Sequence, residues 1–192
     1  MKVVAFNGSP RKNGNTQRAL SAVLFELEKS GIQTEMIQLG GRKVFGCLAC
    51  GACRKNQDKR CVRTDDDMNE LIAKMDEADG IIIGSPTYFS NVTTEVKALI
   101  DRCGYVSRSN NNDILRGKIG AAVVINRRAG ANFVYAAINF FFGIAEMPIA
   151  TSSYWNSGVA MLEGDVEKDE EGMKVFATLG ANMANMLLKL RS

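Results

Sequence analysis

A doubly wound α/β fold built on a five-stranded parallel sheet is what this sequence predicts, on two observations. Short apolar runs suited to buried strands alternate with segments of helical period from one end of the 192-residue chain to the other. The chain is 46% apolar and shows no low-complexity stretch, internal repeat or long linker, so one domain over residues 1–192 with one sizeable core is expected.

The first strand is expected at residues 3–6 of the opening M-K-V-V-A-F. Leu20, Val23, Leu24 and Leu27 then recur with helical spacing, and Ser30-Gly31 ends that helix before a second strand at residues 34–39. A cysteine-rich insert at about residues 41–66 follows. Asp65-Asp66-Asp67 leads into Met68, Leu71, Ile72 and Met75, so at least one of these acids is expected to cap a helix or face its dipole rather than ligate a metal. Residues 80–83 form the third strand, and the helix behind it carries Val92, Val96, Leu99, Ile100 and Cys103 on one face, which makes Cys103 an ordinary buried thiol. Residues 118–125 form the fourth strand. Phe133, Ala137, Phe140, Phe141 and Ile144 mark the next helix as a core stripe, residues 147–151 the fifth strand, and Phe176, Leu179, Met183, Met186, Leu187 and Leu190 the last helix. Five strands and five helices in this alternation fit the flavodoxin-like order 2-1-3-4-5, whose ligand crevice lies at the carboxyl ends of the strands.

Composition narrows the chemistry. There is no histidine, which excludes Ser-His-Asp and Cys-His machinery and His-ligated metals, so an enzyme built on this chain needs a cofactor for its hard chemistry. A net charge of +3 gives no reason to expect a nucleic-acid partner; Arg54, Lys55, Lys59, Arg60 and Arg63 crowd the cysteine insert and read as a solvated loop. No apolar run approaches the roughly 18 residues of a membrane span, and the N-terminus resembles a strand rather than a secretion signal, so a soluble, cytoplasmic protein is expected.

Cys47, Cys50, Cys53 and Cys61 fall within fifteen residues. Three thiolates at intervals of three, with a fourth after a short loop, suit the corners of one iron-sulfur cubane. Structural zinc usually takes two separated pairs and ranks behind a cluster and behind a metal-free thiol site. A disulfide framework sits poorly with five cysteines and a cytosolic chain.

Three polar loops follow strands and should meet at one sheet edge. The first, N-G-S-P-R-K-N-G-N-T over residues 7–16, has glycines for tight turns, hydroxyls on Ser9 and Thr16, amides on Asn13 and Asn15, and a helix start whose N–H groups suit a phosphate monoester. It contains neither G-K-[ST] nor G-x-G-x-x-G. The second, S-P-T-Y-F-S-N over residues 85–91, pairs a rigid proline with two aromatics and offers a platform for a flat ring. The third, N-R-R-A-G-A-N over residues 126–132, can close over that ring and supplies Arg127 and Gly130. A phosphate site and a ring platform on one edge are what FMN requires. The cysteine insert follows the second strand, which neighbours the first, so it is expected to share this edge.

The runs F-N-G-S-P-R-K-N-G-N-T and G-S-P-T-Y-F-S-N-V-T, with K-A-L-I-D-R behind the latter, and the cysteine run followed by D-D-M resemble the NADPH-dependent FMN reductase superfamily. Within it they are most similar to the iron-sulfur flavoproteins, and the resemblance covers almost the whole chain. It implies that Ser9, Arg11, Asn13, Asn15 and Thr16 hold the FMN phosphate. It implies that Pro86, Thr87, Tyr88, Phe89 and Asn91 contact the isoalloxazine, and that Cys47, Cys50, Cys53 and Cys61 bind a [4Fe-4S] cluster. It also implies a ferredoxin-like donor, passage of electrons from the cluster to FMN, a small acceptor such as oxygen or hydrogen peroxide, and a homodimer or homotetramer in which cluster and flavin of neighbouring subunits meet. Two other readings stand beside it: a cluster-free NAD(P)H-dependent FMN or quinone reductase, and a zinc-stabilised flavin-binding sensor.

Overall fold

The computed structural model describes residues 1–190; the final two residues of the expected domain, 191 and 192, lie outside them. Strands β1 Lys2–Asn7, β2 Gln33–Gln38, β3 Gly80–Pro86, β4 Ile119–Asn126 and β5 Ser157–Val159 pair in parallel in the order β2-β1-β3-β4-β5. β1, β3 and β4 are covered on both faces, which is why they read as continuous apolar runs instead of alternating ones. Successive side chains enter opposite cores: Val3 and Ala5 pack with α1 Asn15–Lys29 and α6 Glu170–Leu190, whereas Val4 and Phe6 pack with α3 Met68–Glu77, α4 Thr94–Ser109 and α5 Ala131–Ile144. The cysteine insert holds one short helix, α2 Ala52–Asn56. No helix among the described residues is long and apolar enough to cross a membrane.

Two expectations need correction. Residues 147–151 make only one bridge to the sheet, Ile149 opposite Gly120, held by Gly120 N to Pro148 O and Ala150 N to Gly120 O, both 2.8 Å. Pro148 has no N–H with which to extend a ladder. The chain then arches out through exposed Tyr154 and Trp155, whose ring centroids are 4.8 Å apart, before β5 rejoins the far end of β4 opposite Val124, Ile125 and Asn126.

The second correction concerns α5. Phe133, Phe140 and Ile144 are exposed at 68%, 76% and 64%, and only Phe141 of the expected stripe is buried. Helix α5 is apolar nearly all round, so its periodicity does not reveal which side faces the sheet. Packing decides it: Val134, Ile138, Phe141 and Phe142 turn inward, and Phe142 fills the space over Gly120, where a Cβ would stand 2.6 Å from the ring.

Candidate functional site

The carboxyl ends of the strands open on a cavity of about 230 Å³. Its first wall is the loop after β1. Gly14 stands at the N-cap of α1 without a side-chain cap, and the first turn carries no acid, so its N–H groups are open to an anion. Ser9, buried at the cavity wall, accepts from Arg11 N at 3.2 Å through Oγ and keeps its hydroxyl proton for a ligand; Thr16 lines the same wall. Arg11 and Arg127 bring two cations to the rim, against the single carboxylate of Glu163.

The loop is braced from behind. Gln38 Nε2 donates to Ser9 O at 2.6 Å and to Gly40 O at 2.9 Å, and Asn7 Nδ2 donates to Gln38 Oε1 at 2.7 Å. Gly40 comes so close that a Cβ there would stand 2.3 Å from Ser9 O. Asn15 lines the cavity but is engaged elsewhere: Nδ2 donates to Leu162 O at 2.7 Å and Oδ1 accepts from Val166 N at 3.3 Å, which ties the loop after β1 to the one after β5. Asn13 lies outside the lining; it adopts a left-handed φ of 60° and trades hydrogen bonds with Gln17.

Pro86, Thr87 and Tyr88 form the second wall. Thr87 N donates to Ile125 O at 2.7 Å, while Thr87 Oγ1 is buried without a partner among the described residues. An orphaned hydroxyl in a cavity wall marks a place where a ligand completes the hydrogen bonding. Tyr88 and Asn91 bond each other's backbone at 3.0 and 2.9 Å, closing a tight turn with Phe89 fully exposed at its tip. Asn91 Oδ1 accepts from Val92 N at 2.9 Å, so Phe89 and Asn91 lie outside the lining. Gly130 does too: at φ 90° it caps α5, and a Cβ there would meet Ser90 Oγ at 2.6 Å, so it packs the third loop on the second. Asn126 lines the cavity; with its amide oriented to satisfy both ends it donates to Gly158 O at 3.1 Å and accepts from Ala129 N at 3.3 Å. Ala160, Met161 and Glu163, absent from the sequence expectation, complete the wall. They follow the true β5, and placing the fifth strand at 147–151 hid the loop behind it.

A second, much smaller hollow of about 20 Å³ is lined by Cys47, Cys50, Cys53 and Cys61. Cys47 and Cys50 are exposed, Cys61 is half-buried and Cys53 is buried. Among the described residues, no three Cys, Asp or Glu side chains are drawn together tightly enough to hold a single metal ion. The insert is anchored by side chains. Cys53 Sγ lies 3.6 Å from Ser109 Oγ, Lys59 N donates to Asn110 Oδ1 at 3.2 Å, and Asn69 both accepts from Cys61 N at 2.8 Å and donates to Cys61 O at 2.9 Å. Of the three acids before α3, Asp67 occupies the N-cap position without capping through its side chain. Asp66 accepts from Met68 N at 3.3 Å and forms a fully buried ion pair with Arg102.

The insert does not share the strand-end edge. Helix α4 starts there, where Thr93 Oγ1 donates to Gly8 O at 3.0 Å, and runs away from it. The insert meets α4 from Arg102 to Ser109, about 12 to 22 Å further along at ~1.5 Å per residue. The physical reason is apolar: Val44, Cys53 and Cys61 of the insert pack on the α3–α4 core and draw it down that face. Cys103 is a core thiol, as expected, and burial pushes it up to about 12.

A doubly wound sheet of order 2-1-3-4-5 with an open helix start and a hydroxyl-lined cavity at its strand ends defines a protein of flavodoxin-like fold with an anion-accepting site on that edge. Residues 1–161 match the family model described as NADPH-dependent FMN reductase. An iron-sulfur flavoprotein of Methanocaldococcus jannaschii is 34% identical over 97% of both chains, and one of Methanosarcina thermophila is 33% identical over 97% of this chain and 95% of its own. A structure of RosB with a bound demethyl-formylriboflavin phosphate intermediate superposes with a TM-score of 0.75 at 18% identity, over all of this chain and 80% of that one. A flavodoxin from the domain Archaea gives 0.64 at 16% identity, over 98% and 99% of the two chains. The two solved structures speak for the fold alone. The chain belongs to the NADPH-dependent FMN reductase family, alongside the iron-sulfur flavoproteins, and is a flavin-dependent oxidoreductase.

Proposed function

We propose that this chain is a cytoplasmic iron-sulfur flavoprotein that accepts electrons from a ferredoxin-like donor and delivers them to a small acceptor. Its FMN would sit in the strand-end cavity and a [4Fe-4S] cluster in the cysteine hollow. The observation that carries the proposal is four thiols around one hollow in a chain that also has the flavin cavity; that donor set suits a cluster. When bound, FMN supplies one- and two-electron redox chemistry and the cluster one-electron exchange.

The chain's own residues have distinct tasks in this reading. The open first turn of α1, Ser9 and Thr16 hold the phosphate, and Arg11 and Arg127 offset its charge. Pro86, Thr87 and Tyr88 wall the ring, and Thr87 Oγ1 orients its polar edge. On the insert, Lys59 pairs with Asp76 and Arg63 with Asp65, while exposed Arg54, Lys55 and Arg60 present positive charge to an acidic donor. The separation along α4 and the exposed face of Phe133, Phe140 and Ile144 support a homodimer or homotetramer that brings the hollow of one subunit to the cavity of another.

The test is the source of electrons. Bound flavin should bleach with reduced ferredoxin, at a rate that falls steeply with added salt. Rapid bleaching by NADPH alone would favour a cluster-free NAD(P)H:FMN or quinone reductase. That second reading draws on the thiols not converging on one point.

A further inference from the structure

Arg102 is 1% exposed, on a helix whose other buried positions are apolar or small. Its guanidinium is almost fully committed. Nη1 pairs with the buried Asp66 carboxylate and donates to Phe45 O at 3.2 Å, and Nη2 donates to Arg63 O at 3.3 Å. Those carbonyls stand two residues before Cys47 and two residues after Cys61, so one side chain clasps both ends of the cysteine insert. Asp66 reinforces the clasp by accepting from Phe45 N at 2.9 Å.

One donor remains. Arg102 Nε is buried and has no partner among the described residues, and Arg102 itself lines the hollow with the four cysteines. A buried donor on a cation is expensive to leave unmade, so the wall is incomplete until something in the hollow accepts from it. The acceptors this hollow brings together are sulfur atoms, and hydrogen bonds to sulfur are among the factors that set the potential of an iron-sulfur centre.

We infer that Arg102 is the residue that sets the potential of the centre in the hollow: its Nε–H is donated to a sulfur there and makes reduction easier. This rests on reading the hollow as the cluster site. The buried pair is removed as a unit in D66N/R102Q, which leaves no uncompensated charge and keeps an oxygen to accept from Phe45 N. R102K keeps the charge but lacks both the planar fork and the Nε donor.

The experiment is a spectroelectrochemical titration of protein purified without oxygen, with iron, sulfide and FMN counted in each variant. In D66N/R102Q the midpoint potential of the cluster should fall by a tenfold change in the reduction equilibrium, about 59 mV for a one-electron couple. R102K should fall by less, and its titration decides the matter if the double variant does not retain its cluster. Unchanged potentials in variants with full iron and sulfide would overturn the inference and leave the cluster reading standing. Wild-type protein with FMN but no iron or sulfide would overturn both.

Discussion

The two hollows of this molecule are held by different means. The strand-end cavity is walled by loops that leave β1, β3, β4 and β5 and by the start of α1, so the same hydrogen bonds that build the sheet also position its walls. The cysteine hollow sits in an insert with one five-residue helix, left-handed turns at Gly51 and Gln57, and a handful of side-chain anchors led by Arg102 and Asp66. The first is a consequence of the fold; the second is an addition whose shape depends on a few bonds. The two should therefore fail separately.

D66N breaks the clasp and should have the largest effect. It leaves Arg102 buried without its counter-charge, a loss on the order of 3–5 kcal/mol. The chemical-denaturation midpoint should drop by that equivalent, and trypsin should cut the insert at Arg54, Lys55 or Arg60 sooner, while FMN per chain stays the same. Loss of FMN in step with the insert would show that the two sites are one unit.

G40A attacks the other side of the comparison. A methyl group 2.3 Å from Ser9 O must displace the backbone of the loop after β1. FMN affinity should fall by at least tenfold, about 1.4 kcal/mol, with the cysteine insert as resistant to trypsin as before. T87V is the gentlest probe: it keeps the shape and removes the unpartnered hydroxyl, and should weaken FMN by about 1 kcal/mol. An unchanged FMN dissociation constant in T87V would remove Thr87 Oγ1 from the flavin contacts.

Sheet order and the loops at its edge were legible in the sequence because β1, β3 and β4 are doubly buried and announce themselves as apolar runs. The short β5 was not, since S-G-V carries no pattern and the more apolar 147–151 segment beside it does. On α5 the composition concealed which phenylalanines face water. Asn15 was expected to hold a phosphate, whereas its tie to Leu162 and Val166 depends on a contact across about 150 positions that no local pattern encodes. Arg102 reads as an ordinary charged residue in K-A-L-I-D-R; it becomes buried only because the insert packs over α4. For the same reason the insert left the strand-end edge on which chain order alone would place it.

If one chain holds two separable redox sites, counts of iron, acid-labile sulfide and FMN per chain in wild type and C53S, both purified without oxygen, will separate them. Wild type should carry about four irons and four sulfides per FMN, and C53S undiminished FMN with a depleted cluster. Wild-type protein carrying FMN with neither iron nor sulfide would contradict the presence of two redox sites.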